Sequence, residues 1–211
     1  MMINAPEIVL GVTGSIGAYR AADVLRHLRD AGYSVTCMMT PEAMHFITPL
    51  TLQALSERKV YTDLFELNGT PIAHTTLADR AKLVLVAPAT ANIIGKFANG
   101  FADDLLSCTL LATRAKVIIA PAMNVQMWQH PSVQRNVTTL KRLGHRIVGP
   151  DVGKLACGYE AIGHLAEIEE ILRAVRQLVP IPGVPAAAKP TAPVRRARAK
   201  TRPIQRKGRR R

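Results

Sequence analysis

The sequence predicts one α/β domain in which a doubly wound parallel sheet carries helices on both faces. Three observations predict it. Short apolar runs alternate with helix-length segments, the pattern of strands joined by crossover helices. The run Leu83 to Ala87 is apolar at every position, so it belongs at the centre of a sheet covered on both faces. The first apolar run also feeds straight into a small-residue turn, Gly11-Val12-Thr13-Gly14-Ser15-Ile16-Gly17.

Taken in order, Ile8-Val9-Leu10 is a short buried strand ending in that turn. A helix comes next with Ala21, Leu25 and Leu28 on one face, and Gly32 closes it. Ser34 to Met39 is the second strand and stops at Thr40-Pro41. Leu83 to Ala87 is the third, Phe101 to Thr113 is helical, and Val117 to Ala120 is the fourth strand. Arg146-Ile147-Val148 is the last strand, and a helix from about Ala166 to Leu178 ends the folded part. The expected architecture is Rossmann-like or flavodoxin-like, a single domain over residues 1–180.

Charge separates that domain from the C-terminal segment. Of the 28 Lys and Arg, 11 lie in residues 181–211, which hold no acid; residues 1–180 carry the remaining 17 against 15 acids, a net of +2. The Pro/Ala stretch and Arg/Lys run of residues 181–211 are expected to be a disordered tail, because they cannot bury enough apolar surface to fold. Its charge suits weak polyanion binding. Cys37, Cys108 and Cys157 are scattered and form no CxxC, which argues for a reducing compartment and against a disulfide framework or a zinc site. No apolar run approaches transmembrane length and no signal peptide opens the chain, so the expectation is a soluble cytoplasmic protein.

Six segments carry candidate chemistry. The turn from Gly11 to Gly17 has the spacing of a phosphate cradle, in which backbone N–H groups and the Ser15 hydroxyl face an anion. A dinucleotide would need an acid at the end of the second strand; that strand ends Thr36-Cys37-Met38-Met39-Thr40, so NAD is disfavoured and a ligand with one phosphate stays open. Ala87-Pro88-Ala89-Thr90-Ala91-Asn92 ends the central strand with small residues, a hydroxyl and an amide; Thr90 is equally a helix N-cap. Pro121-Ala122-Met123-Asn124-Val125-Gln126-Met127-Trp128 ends the fourth strand. It puts a carboxamide, donor and acceptor at once, on the sheet rim where α/β folds bind ligands. Asn124 too is equally a helix cap. Asp103 and Asp104 are expected in a helix first turn. His74, in a loop leading to the rim, is an acid/base candidate, and Cys157 lies among Gly153, Gly158 and Gly163, as in a mobile flap.

Together, Gly14-Ser15-Ile16-Gly17-Ala18, His74, Ala87 to Asn92, Asn99 to Leu106, Pro121 to Trp128 and Leu155-Ala156-Cys157-Gly158 make a chain that resembles the homo-oligomeric flavin-containing cysteine decarboxylases. The likeness covers about residues 7–178 and is closest to the branch that acts on a phosphopantothenoyl cysteine. The resemblance implies FMN, held by Gly14, Ser15 and Ile16 and by Thr90, Ala91 and Asn92, with Thr40, Phe46 and Ala122 beside it. It implies that the cysteinyl unit of 4'-phosphopantothenoyl-L-cysteine is oxidised to a thioaldehyde, loses CO2 and is reduced again to 4'-phosphopantetheine for coenzyme A. By the same analogy His74 assists oxidation and decarboxylation, Asn124 and Met127 contact the substrate, and Cys157 donates the last proton. The implied assembly is a homo-oligomer built from trimers, served by a separate synthetase polypeptide.

The flap departs from the family pattern Cys-Gly-Asp/Glu-x-Gly-x-Gly, since Tyr159 and Ala161 stand at its third and fifth positions. Three alternatives stand beside the main reading. A peptidyl-cysteine decarboxylase would share the flavin, His74 and Asn124 but would not need Cys157. A regulatory subunit would keep the FMN site without turnover. A flavin prenyltransferase would share the fold but lack the His74 and Pro-x-Met-Asn motifs, both present here.

Overall fold

The computed structural model describes residues 5–65, 73–154 and 160–181. Cys157, Tyr159 and residues 182–211 of the tail lie outside that range. Five strands, β1 (Glu7–Val12), β2 (Ser34–Met39), β3 (Leu83–Ala89), β4 (Lys116–Pro121) and β5 (Arg146–Ile147), form a parallel sheet in the order β2-β1-β3-β4-β5. Around it lie α1 (Ala21–Asp30), α2 (Pro49–Ser56), α3 (Ala73–Arg80), α4 (Ala91–Asn99), α5 (Leu105–Ala112), α6 (Val125–Gln129), α7 (Pro131–Arg142) and α8 (Ile168–Leu178).

The helices divide between two faces. Leu25 and Leu28 of α1, Leu52 of α2 and Ile171 of α8 pack with Ile8, Leu10 and Leu85 on one side. Leu77 of α3, Ile94 of α4, Leu106 of α5 and Leu140 of α7 pack with Val9, Val84 and Ile119 on the other. β3 is buried along its whole length, as its unbroken apolar run requires. Each fully buried leucine of this kind contributes about 2 kcal/mol of apolar transfer. The expected doubly wound, flavodoxin-like sheet is therefore what the chain builds.

Strand order reverses between β1 and β3. The chain leaving β1 passes through a 3-10 turn (Ile16–Arg20) into α1 on the first face, whereas the chain leaving β3 enters α4 on the second. The two connections diverge and open a crevice at the carboxyl ends of the strands, the usual ligand position in such sheets.

Several expectations change in detail. The helix expected from Phe101 begins at Leu105, because Asp104 and Ser107 close a capping box: the Asp104 carboxylate accepts from the Ser107 N–H at 2.8 Å, and the Asp104 N–H donates to the Ser107 hydroxyl at 3.0 Å. Asp104 is thus the cap of α5, not a first-turn charge. Arg146-Ile147 is the last strand of the parallel sheet but not of the chain. An antiparallel hairpin, β6 (Asp151–Lys154) with β7 (Glu160–His164), comes after it. The glycines that suggested a loop are accommodated in its strands, Gly153 opposite Ala161 and Gly163 at φ +137°. His74 lies in the first turn of α3, not in a preceding loop. Ile181 packs against the core beside Gly32, its Cδ1 standing 3.3 Å from where a Cβ on that residue would lie.

Burial sets the chemistry of one thiol. Cys37 on β2 is fully buried and its pKa is pushed up to about 12 by desolvation. At pH 8 only about one such thiol in ten thousand is thiolate, the reactive form. Iodoacetamide at pH 8 is expected to leave Cys37 unmodified in the native protein and to label it after denaturation, as read by peptide mass. Rapid native labelling of Cys37 would show that the strand is not buried.

Candidate active site

Thr13 joins the two sides of the crevice. It sits one residue past β1 and is 1% exposed. Its hydroxyl donates to the Pro88 carbonyl at 2.8 Å and accepts from the Thr90 N–H at 3.0 Å. The turn after β1 and the end of β3 are thereby held at one separation. Between them opens a cavity of about 250 Å³, with Gly14, Thr40, Thr90, Asn92, Asp104 and Met127 in its wall.

Each wall residue is placed by a local device. Gly14 passes so close to the 3-10 turn after β2 (Pro41–His45) that a Cβ on it would fall 2.3 Å from the Glu42 Cβ. Ser15 caps the first 3-10 turn, accepting from the Gly17 N–H at 3.3 Å. Thr90 caps α4, accepting from the Ile93 N–H at 3.4 Å; the Ala91 and Asn92 amides belong to the first turn, which has no intrahelical acceptors for them. Thr40 is 7% exposed, and its hydroxyl oxygen is buried without a hydrogen-bond partner. An orphaned buried hydroxyl costs about 1–3 kcal/mol, so this atom on the cavity wall points to an absent ligand group.

The Lys96 ammonium, close to this wall, is already engaged. It binds Asp103 and Asp104, each at 2.7 Å. Burial works against its charge, but the two carboxylates outweigh that and hold its pKa above the ordinary lysine value. The same ammonium hydrogen bond holds the Asp103 carboxyl below its ordinary value. An anion in the cavity would be met by hydroxyls and backbone amides instead.

Beyond the cradle, Ala122 is 5% exposed and lies 3.7 Å from where a Cβ on Gly17 would be. Asn124 caps α6, its Oδ1 accepting from the Gln126 N–H at 2.8 Å. The cap uses one oxygen and leaves the Nδ2 amide of an exposed side chain for another partner. Met127, 49% exposed, brings its thioether to the cavity edge. Phe46 and Ile16, 45% and 60% exposed, are not among the residues that form its wall. His74 is not among the described wall residues; its Nδ1 is buried and without a partner.

Sequence reasoning does not single out Thr13, Glu42 or Asp104 as site residues. Thr13 carries a usable signal, a hydroxyl inside the small-residue turn. Glu42 comes from a 3-10 turn with no distinctive pattern. A second cleft, of about 230 Å³, lies by the start of β1. There the Glu7 carboxylate is already bonded to Ser34, Thr36 and Arg58.

Comparison with known proteins agrees with this geometry. The Flavoprotein family matches residues 1–180. The chain belongs to this family. It is 50% identical over 173 residues to the "Coenzyme A biosynthesis bifunctional protein CoaBC" of Bacillus subtilis (strain 168), covering 82% of this chain and 43% of that protein. It therefore spans less than half the length of that bifunctional relative. It is 41% identical over 174 residues to the "Probable phosphopantothenoylcysteine decarboxylase" of Streptococcus mutans, covering 81% of this chain and 97% of that protein. Among solved structures, a mutant PPC decarboxylase complexed with pantothenoylaminoethenethiol superposes with a TM-score of 0.75 at 31% identity, covering 82% of this chain and 98% of the other. The FMN-dependent cysteine decarboxylase SpaF superposes at 0.72 with 34% identity, covering 82% and 97%.

The two glycines of the turn, Gly14 and Gly17, differ in the space around them. Gly14→Ala would drive a Cβ into Glu42 and is expected to lower the flavin content of the purified protein by at least about ten-fold, the cost of an overpacked contact. Gly17→Ala meets only ordinary van der Waals contacts and should keep its flavin. Equal flavin content in both variants, read by absorbance after denaturation, would show that the cavity is not the flavin site.

Proposed function

We propose that this chain is an FMN-dependent decarboxylase that converts 4'-phosphopantothenoyl-L-cysteine to 4'-phosphopantetheine in coenzyme A biosynthesis. One observation carries the reading. A cavity at the sheet's switch point combines an anion cradle of neutral donors, an unpartnered buried Thr40 hydroxyl and Met127 of the helix that Asn124 caps. A flavin mononucleotide fits that donor set, its phosphate at the Gly14-Ser15-Ile16 turn and the Thr90-Ala91-Asn92 cap, with Thr40, Phe46 and Ala122 near the ring.

Bound FMN supplies a two-electron acceptor that later returns the electrons. The remaining work belongs to the chain. Asn124 offers Nδ2–H to the substrate carboxylate and fixes the cysteinyl unit, with Met127 against its carbon chain. Loss of two hydrogens from the CH2–SH group gives a thioaldehyde, an electron sink β to the carboxylate. The C–CO2 bond then breaks and its electron pair moves onto sulfur as an enethiolate. His74, with an open buried Nδ1, is the group proposed to move protons in these steps. Cys157 is proposed to protonate carbon as the enethiol is reduced to the thiol. The ligand named in the PPC decarboxylase structure, an aminoethenethiol, stands at the oxidation level between decarboxylation and that reduction.

Among the described residues, His74 is not in the cavity wall of its own chain, and Ile16, Tyr19, Phe46 and Phe101 expose 60, 58, 45 and 62% of their surfaces. Both facts support a homo-oligomer, proposed to be built from trimers, in which a neighbouring copy covers exposed apolar side chains and completes the site. No helix of the described residues is long and apolar enough to cross a membrane. The proposed location is the cytoplasm, where a thiol substrate stays reduced.

Purified protein given phosphopantothenoylcysteine is expected to release CO2 and a product of the mass of phosphopantetheine. Failure to release CO2 would overturn the proposal, and a product two mass units lighter would favour a peptidyl-cysteine decarboxylase that stops at the enethiol. Asn124→Asp should retain flavin but lose at least about a hundred-fold in kcat, because a carboxylate would face the substrate's own. His74→Asn should also lose turnover with flavin retained; activity within about three-fold of wild type would make His74 structural, less than the effect of a general acid/base.

The basic tail is proposed to act through charge alone. Deleting residues 182–211 should leave turnover unchanged and remove any polyanion binding, which in the full chain should fall steeply with salt. Loss of the oligomer on deletion would assign the tail a structural role.

A further inference from the structure

The elements that carry the proposed chemistry come from three distant parts of the chain, and Arg20 stands where they meet. It ends the 3-10 turn capped by Ser15, and its side chain is 13% exposed despite its charge. Nη1 donates to the Leu165 carbonyl at 3.2 Å and lies 3.5 Å from His164 Nδ1, while Nη2 reaches Glu167 at 3.2 Å. The Glu167 N–H in turn donates to the Asp151 carboxylate at 3.1 Å. Asp151 and His164 are partners at the base of the β6–β7 hairpin. One guanidinium therefore ties the phosphate turn to the base of that hairpin.

The hairpin is fastened a second time, to the loop that holds Asn124. The Gly163 carbonyl accepts from the Met123 N–H at 3.0 Å. Gly163 has φ +137°, and a Cβ there would lie 2.2 Å from the Met123 carbonyl oxygen. No side chain fits between the two backbones. Covalent and hydrogen-bonded links run from Ser15 through Arg20, Leu165, Gly163 and Met123 to Asn124.

We propose that Arg20 is a positioning residue, which locks the β6–β7 hairpin against the phosphate turn and so fixes Asn124 relative to the cradle. The proposal rests on the reading of Asn124 as the carboxylate-holding group. A guanidinium suits the task because its fork reaches a carbonyl and a carboxylate together, which a single ammonium does less well. The expected loss is one of geometry. Flavin stays bound by the cradle while the carboxamide drifts from its productive position, and a misplacement of about 1 Å costs up to about a hundred-fold in rate.

The test compares Arg20→Met and Arg20→Lys with wild type, all isolated with flavin, by amide hydrogen exchange and by steady-state kinetics well below the melting temperature. Arg20→Met is expected to keep its flavin, to exchange faster at the Met123 and Glu167 amides but not in β1 or β3, and to lose at least about ten-fold in kcat. Arg20→Lys should restore part of both, because it keeps the bond to Leu165. Exchange at Met123 and kcat both unchanged in Arg20→Met would overturn the proposal, as would faster exchange throughout the sheet, the sign of general destabilisation. If Arg20→Met does not fold, Glu167→Ala loosens the same lock from the solvent side; faster exchange at Met123 supports the proposal and unchanged exchange overturns it. The underlying reading fails separately. Wild type that releases no CO2 would remove the role of Asn124, while faster Met123 exchange in Arg20→Met would still establish the lock.

Discussion

The site depends on two hydrogen bonds made by one buried threonine. In a doubly wound sheet the connections after β1 and β3 leave in opposite directions, so nothing in the helices holds them at a common spacing. The Thr13 hydroxyl does so, donating to Pro88 and accepting from Thr90. A hydroxyl can act as donor and acceptor at once, and both roles are needed. A valine here would keep the volume but leave the Pro88 carbonyl and Thr90 amide facing an apolar group, about 1–3 kcal/mol for each unmade bond. The cradle is thus preorganised by the backbone of two strands, and the ligand is not required to draw the two sides together.

Helix caps do double duty around this crevice. Ser15, Thr90, Asp104 and Asn124 each satisfy a backbone N–H at the start of a helix or 3-10 turn. Ser15, Thr90 and Asn124 also stand at the carboxyl rim, because in a βα unit the cap comes just past the strand end. Capping and ligand binding are therefore two uses of one atom set. At Asn124 the two separate by atom, since the cap uses Oδ1 and leaves Nδ2 for the proposed substrate contact.

That overlap explains what was legible in the sequence. The parallel sheet was, since Leu83 to Ala87 could only be central and Ala21, Leu25 and Leu28 repeat at helical spacing. The cavity wall was partly legible, because Gly14 and Thr90 fall just past predictable strand ends, whereas Thr40 entered as a site residue only through the family resemblance. The hairpin was not. β7 pairs over few residues and holds Gly163 at a positive φ, so neither alternation nor β-propensity marked it. Asp104 was misread because a charge run and a capping box share the same letters, and only the Ser107 contact distinguishes them. The Arg20 contacts span some 144 to 147 residues, beyond the reach of any local pattern.

Electrostatics sets how the cavity must hold an anion. Apart from the near neutrality of residues 1–180, the local arrangement itself withholds positive charge, since Asp103 and Asp104 occupy Lys96 and Glu42 adds a carboxylate to the wall. A phosphate there would be met by hydroxyls and helix-end amides, each a modest hydrogen bond strengthened by the charge it meets. Such binding depends on fixed geometry more than on field. Amides cannot track a ligand as a flexible lysine can, so the spacing set by Thr13 becomes the condition for affinity. The same reasoning separates the tail from the site. Its 11 cations, as proposed, would act through long-range, salt-screened attraction, a kind of interaction that the cavity scarcely offers.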